Sequence, residues 1–292
     1  MFDELSVERI ETYLLHQAEL HIYPTLSSTN DTAKQLGPCP SGQSCSTCPG
    51  RFDPLPLNCC HKTVIIADSQ TAGRGRYGRK FFSPLGCGIY MSVVLCPRQL
   101  WLEKYSLMTP MAAVAVCEAI EAISSKTPQI KWVNDILLDW RKICGILTEL
   151  TTNTVGEIDR IIVGIGINFA APADGFPQEI SDIAGSLFGP ESPISRNQLI
   201  AEILNRLLSV CHPGADSGRM SETDVELNCS KLLKAYKKRL MMLKRRVLVT
   251  TPDIVYEATA LDVDPSGGLV VQKDCGEITT LTAGEVSLKP IG

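Results

Sequence analysis

The sequence predicts an α+β main domain followed by a small β-barrel. Two observations carry this. Helix-like and strand-like stretches are mixed through residues 1–245, and from Arg246 onward the chain turns into short strands closely spaced between turns. A third observation sets the class: 44% hydrophobic and 21% charged residues are the proportions of a soluble globular protein. At 292 residues, one large domain and one small one are the natural division.

Taken in order, Ser6 to Leu20 reads as a short helix, capped by Ser6 and striped by Val7, Ile10, Leu14 and Leu15. About twenty residues precede the next element, too few for a helix-turn-helix module. His21 to Tyr23 reads as a strand. Leu26 to Lys34 starts a helix with Ser28 or Thr29 as N-cap, and the amides at such a helix start also favour an anion or a carbonyl. Val64 to Ala67 and Ile89 to Leu95 read as buried strands. Leu107 to Ser124 is a helix that tolerates Pro110 in its first turn, and its apolar run from Met111 to Cys117 makes it a buried one. That run is too short to span a bilayer.

Gln129 to Trp132, Ile136 to Asp139, Ile143 to Leu150 and Arg160 to Ile167 read as strands. Asp139 to Lys142 forms a hairpin-like turn between two of them. Arg196 to Cys211 and Leu227 to Leu243 are amphipathic helices. Beyond Arg246, short strands at 247–249, 254–260, 268–272, 277–281 and 286–288, with a strong turn at 264–268, predict a barrel of about 45 residues.

Net charge is −4, so the chain as a whole exerts no pull toward nucleic acid. The first eight residues include Asp3, Glu4 and Glu8 and no apolar core, unlike a signal or transit peptide. The twelve cysteines are therefore expected as thiols in a reduced, cytoplasmic protein, with no membrane partner. Five cysteines and five prolines crowd into residues 37–62, which read as an inserted irregular loop. Cys45, Cys48, Cys59 and Cys60 are enough ligands for zinc, but the second half lacks a clean Cys-x-x-Cys, and the loop reading is preferred.

Chemistry concentrates in Gln70-Thr71-Ala72-Gly73-Arg74-Gly75-Arg76-Tyr77-Gly78-Arg79-Lys80-Phe81, a glycine-spaced basic loop hung between two strands. Its glycines let the backbone approach a ligand, and its arginines bring forked donors suited to phosphate or carboxylate. A solvated basic loop or a nucleic-acid contact would use the same residues. Lys131-Trp132-Val133-Asn134-Asp135 sets a carbonyl beside a carboxylate, a pair suited to Mg²⁺ or a ribose and equally to a simple turn. Lys142 stands at the mouth of an apolar strand that contains Gly145. Gly164-Ile165-Gly166-Ile167-Asn168 repeats that pattern of glycines in an apolar strand ending in a polar residue. Two such strands point to a flat apolar slot beneath an anion-binding loop.

In this order, Ser28-Thr29-Asn30, Gln70 to Arg76, Lys131-Trp132-x-Asn134-Asp135, Lys142-x-x-Gly145-Ile146 and Gly164-x-Gly166-Ile167-Asn168 resemble the biotin protein ligases, from about Tyr23 to Pro290. The resemblance implies a class II aminoacyl-tRNA-synthetase-like catalytic domain over 1–245, a mixed sheet with helices. It implies an SH3-like barrel over 246–292, ending at Gly284 to Leu288. It further implies a two-step reaction: biotin and ATP, with Mg²⁺, form biotinyl-5′-AMP, and the biotinyl group then passes to a lysine of a biotin carboxyl carrier domain. Lys142 and Arg76 match the catalytic positions. Ser28, Thr29, Asn30, Gln70, Gly73, Arg74, Lys142, Gly145, Gly164 and Gly166 match the biotin site. Arg74, Arg76, Arg79, Phe81, Lys131, Asn134, Asp135 and Asn168 match the adenylate site, with Mg²⁺ near Asn134 and Asp135. The thiols are spectators in such a reaction.

The sequence departs from the family in three places. Phe81 stands where many members have tryptophan, Val133 replaces the usual proline, and the 37–62 insert has no assigned role. The resemblance is to the monofunctional type without a DNA-binding domain, as monomer or homodimer. Two rivals use the same residues: a lipoate-protein ligase, whose pocket would be longer and apolar, and a nucleic-acid-binding regulator built on the basic loop.

Overall fold

A computed structural model describes residues 3–36, 62–96, 104–153, 156–189, 191–211, 222–251, 254–282 and 284–288. The zinc reading at Cys45, Cys48, Cys59 and Cys60 lies outside the described residues.

Seven strands form the main sheet: β1 (Glu19–Tyr23), β2 (Thr63–Ala67), β3 (Gly88–Leu95), β4 (Gln129–Lys131), β5 (Asp135–Leu138), β6 (Arg141–Thr152) and β7 (Ile158–Asn168). Their spatial order is β1-β2-β3-β7-β6-β5-β4. Among the described strands of this sheet, only the β1–β2 pair is parallel. The β5–β6 hairpin closes through Asp139 and Trp140, both at positive φ (49° and 65°), as a primed two-residue turn requires.

The two faces of the sheet differ, and the strand period of two explains how. Val64, Ile66, Ile89, Met91, Cys144, Ile146, Ile165 and Ile167 point into one large core. That core is shared with α3 (Met108–Ile123), α4 (Arg196–Cys211) and α5 (Glu222–Arg239). The alternate residues face the other way, where a small cluster of Ala33, Ile65, Val94 and Ile162 seats the short helix α2 (Thr29–Lys34). Ser92, Gly145, Glu149, Gly164 and Gly166 follow the parity of Val94 and Ile162, so they belong to this thin face. Residues 105–123 are long and apolar enough to cross a membrane, but α3 is a core helix, with Ala112, Ala113, Val116, Cys117 and Ile120 fully buried.

Two helices differ from their sequence expectation. The first, α1, spans only Val7–Glu11, although Ser6 caps it as expected. Asn205 of α4 accounts for the early stop. It takes the Leu15 N–H at 2.7 Å and donates to the Tyr13 carbonyl at 2.9 Å, removing both from a helical ladder. Helix α5 starts earlier and ends at Arg239, because Met241 N–H pairs with the Ile130 carbonyl at 3.1 Å beside β4.

The C-terminal strands β8 (Arg246–Thr250), β9 (Val255–Val263), β10 (Leu269–Lys273), β11 (Ile278–Leu281) and β12 (Glu285–Leu288) form a five-stranded antiparallel sheet in the order β11-β10-β9-β8-β12. Val247, Val249, Ala258, Ala260, Leu269 and Val271 fill its interior. Asp264 makes the predicted turn by accepting the Ser266 and Gly268 N–H groups, each at 2.8 Å.

Candidate active site

Helix α2, the 70–83 loop, the turn from β4 to β5 and the facing ends of β6 and β7 surround one cleft of about 300 Å³ on the thin face of the sheet. Every residue expected in the site lines it except Gly73.

Gly73 stands behind the cleft lining. It is buried, and a Cβ there would lie 2.4 Å from the Phe81 carbonyl oxygen and 2.6 Å from Ser83 Oγ. Its role is to let the loop close on itself, with Phe81 N–H donating to the Gly73 carbonyl at 2.9 Å. Above this closure Tyr77 and Gly78 take positive φ (57° and 74°), which turns the loop tip back toward the cleft.

The glycine slot exists, but side chains of this chain occupy its floor. Gly145 and Gly166 face each other across the β6–β7 ladder. A Cβ on Gly166 would stand 2.7 Å from Phe81 Cε1, and one on Gly145 would stand 3.2 Å from both the Phe81 ring and Lys142 Nζ. A Cβ on Gly164 would reach Asn30 Oδ1 at 2.3 Å. The three glycines therefore admit Phe81, Lys142 and Asn30 to the floor of the site.

Ser28 caps α2 as expected, its side chain accepting from Asp31 N. Ser28, Thr29 and Asn30 are almost wholly buried. Gln70 Oε1 accepts the Thr29 N–H at 2.8 Å, and Asn30 Nδ2 donates to Glu149 at 2.8 Å. Arg74 pairs with Asp31 and, at 3.4 Å, with Glu149.

On the opposite wall, Lys142 Nζ stands 2.6 Å from Asp135 Oδ1, an oxygen buried without an aligned hydrogen-bond donor. Arg76 reaches Asn134 Oδ1 at 3.3 Å and lies over the Tyr77 ring at 5.0 Å. Arg79 pairs with Glu285, and Gly284 N–H donates to the Tyr77 hydroxyl at 2.9 Å, so the second domain meets the loop. Asn168 donates to the Lys142 and Gly185 carbonyls at 3.3 and 2.9 Å, which fixes the backbone beside the lysine. The Cys117 and Cys144 thiols are buried behind the sheet, and burial pushes both pKa values up, away from the thiolate.

Sequence reasoning missed three contributors. Ser92 and Glu149 organise α2 from β3 and β6. Residues 180–185 clamp the start of β6, where Lys142 N–H donates to the Ile183 carbonyl at 2.7 Å and Arg141 donates to the Ser181 carbonyl at 2.7 Å. The one available signal was the strand alternation that puts Glu149 on the same face as Gly145.

This architecture is shared with known proteins. The chain matches the biotin/lipoate A/B protein ligase family over residues 57–168 and the biotin protein ligase C terminal domain over residues 243–289. The bifunctional ligase/repressor BirA of Bacillus spizizenii is 46% identical over 125 residues, covering 43% of this chain and 38% of that protein, so the match spans well under half of that relative. The biotin--[acetyl-CoA-carboxylase] ligase of Mycobacterium tuberculosis is 27% identical over 231 residues, covering 76% of this chain and 77% of that one. The fold is that of the biotin protein ligase of Aquifex aeolicus in complex with biotin and ATP: TM-score 0.66, 22% identity, 93% of this chain and 98% of that one. With a ligase domain, the C-terminal domain found in biotin protein ligases and one cleft that gathers the motif residues, the chain belongs to the biotin protein ligase family.

Proposed function

We propose that this chain is an ATP-dependent biotin protein ligase that forms biotinyl-5′-AMP and then transfers biotin to a lysine of a biotin carboxyl carrier domain, acting in the cytoplasm. The observation that carries this reading is Lys142. Its ammonium sits over the Gly145 floor, in a cleft shared with the arginines of the 70–83 loop.

The first step joins two anions, since a carboxylate oxygen attacks the α-phosphorus and pyrophosphate leaves with the electron pair of the broken P–O bond. Positive charge must stand between the reactants, and Lys142 and Arg76, both in the cleft lining, supply it. The mixed anhydride formed is reactive toward any amine or water. A loop pinned through Arg74, Tyr77 and Arg79 would hold it until the carrier lysine attacks the carbonyl and AMP leaves. Asp135 and its neighbour Asn134 fit Mg²⁺ as oxygen donors once Lys142 Nζ, 2.6 Å from Asp135 Oδ1, turns to the reacting anions. When bound, Mg²⁺ supplies charge neutralisation on the phosphates. The loop arginines Arg74, Arg76 and Arg79 engage Asp31, Asn134 and Glu285 of this chain, which disfavours the nucleic-acid reading.

Pyrophosphate release on adding biotin, ATP and Mg²⁺ without carrier tests the proposal, because it reports the first half-reaction alone. Release with lipoate and none with biotin would overturn it.

A further inference from the structure

We propose that Glu149 is a positioning residue: through the buried hydroxyl of Ser92 it sets which ends of Asn30 and Thr29 donate and which accept toward the ligand. The inference rests on the biotin reading above and concerns how the same site recognises a cyclic urea.

A carboxylate can only accept hydrogen bonds. Glu149 Oε2 takes one amide hydrogen of Asn30 at 2.8 Å, and the Leu147 carbonyl takes the other at 3.3 Å. Both donors of Asn30 are thus committed to β6, and Oδ1 is turned toward Ser92 Oγ, 2.6 Å away. Ser92 is fully buried and has a single hydroxyl hydrogen, which goes to Asn30 Oδ1 because that oxygen cannot donate. The 2.8 Å contact between Ser92 and Thr29 must then run the other way, with the Thr29 hydroxyl donating.

Gln70 is oriented separately, by the Thr29 backbone. A backbone N–H can only donate, so the end of Gln70 that faces Thr29 N at 2.8 Å is its oxygen. Its nitrogen donates to Ser83 Oγ at 3.0 Å, and the Ser83 hydroxyl donates to the Phe81 carbonyl at 3.0 Å. Donated hydrogens run from the Thr29 hydroxyl through Ser92 and Asn30 to Glu149. A second run starts at the Thr29 N–H and passes through Gln70 and Ser83 to the Phe81 carbonyl.

Burial by itself would raise the Glu149 carboxyl. Hydrogen bonds from Lys34 and Asn30 and the charges of Lys34 and Arg74 outweigh it and hold Glu149 below the ordinary carboxylate range. It is therefore a charged, acceptor-only group at neutral pH.

The consequence for recognition is a fixed polarity. Asn30 and Thr29 offer lone pairs to the cleft, and Gln70 offers its second N–H. A cyclic urea carries two N–H donors and one carbonyl acceptor, the complement of that set. Reversing one member would leave two donors or two acceptors face to face in a buried site.

Calorimetric titration with biotin of the wild-type chain, Glu149→Gln, Ser92→Ala and the double variant tests this, with thermal unfolding as the check on folding. Glu149→Gln can donate to Asn30 Oδ1 and flip it. Ser92→Ala cuts the order without touching the charges of Lys34 or Arg74. Each single variant is expected to bind biotin at least tenfold more weakly. The double variant should bind within twofold of the weaker single one, because an order already broken cannot be broken again. The KM for ATP of Ser92→Ala should stay within twofold of wild type. Wild-type biotin affinity in Ser92→Ala, or fully additive losses in the double variant, would overturn the inference while leaving the ligase reading intact. A wild-type chain that does not bind biotin would overturn the ligase reading and this inference with it. Should Glu149→Gln not fold, Ser92→Ala decides alone.

Discussion

Trp132 donates its indole N–H to the carbonyl of Gly267 across 135 residues, at 3.0 Å, tying the turn that carries Asn134 and Asp135 to the C-terminal sheet. Gly267 is buried at positive φ in the β9–β10 turn, so its carbonyl has no easy access to water. Tyr236 braces the same segment by donating to the Val133 carbonyl at 3.0 Å. Trp132→Phe keeps most of the apolar contact and removes the donor. Leaving a buried carbonyl unpaired costs about 1–3 kcal/mol, and each kcal/mol lowers Tm by roughly 2–4 °C for a domain of this size. Thermal unfolding should show that drop. The KM for ATP should rise more than the Kd for biotin, because the proposed function puts the nucleotide against the displaced turn.

Gly166 gives a second expectation. A methyl group there would meet the Phe81 ring at 2.7 Å. Its φ is not positive, so the strand itself tolerates alanine and the clash is with the ring. Gly166→Ala should cost about 1–3 kcal/mol as an overpacked site and weaken adenylate formation. Phe81→Leu in the same chain should restore part of the stability. Equal stability of Gly166→Ala with and without Phe81→Leu would show that the ring is not what the glycine accommodates.

Nearly all the motif residues singled out in the sequence meet in one cleft, because each motif lies at or near the end of a strand or helix. Lys142, Gly145 and Gly166 needed only the strand period to be placed. Partners across the fold could not be read in the same way. Gly73 was expected at the ligand because it sits in the basic loop, yet only the folded loop shows the Phe81 carbonyl pressed against it. Ser92 and Glu149 lie in ordinary strand sequence, and their importance comes from Asn30, 62 and 119 residues away. The end of α1 was misplaced for a related reason: the groups that stop it belong to Asn205, 190 and 192 residues further along. Local propensity has no access to such partners.

Glu149 also sets a pH dependence. Its folded pKa is depressed, so the stability it contributes is fully present above the ordinary carboxylate range and is lost as pH falls through the folded value. The difference in Tm between wild type and Glu149→Gln should be largest near neutral pH and should close in acid. A gap that stays constant from neutral to acid pH would mean that packing, and not charge, is what the substitution removes.

On the proposed function, Lys142 is the residue on which the chemistry depends most. Its side chain is about one-third exposed (33%), so its removal leaves no cavity in the core. Its backbone is held independently by Ile183 and Asn168. Lys142→Ala should therefore fold with a Tm close to wild type. Loss of charge stabilisation at the reacting groups should slow pyrophosphate release by about 10²–10³-fold. Lys142→Arg would keep the charge but not a compact ammonium able to meet carboxylate and phosphate together over Gly145, so it should recover only part of the rate. Biotin affinity measured without ATP should fall far less than the rate. A folded Lys142→Ala chain that releases pyrophosphate at the wild-type rate would remove this lysine from the mechanism and leave Arg76, beside Asn134, as the cation to examine.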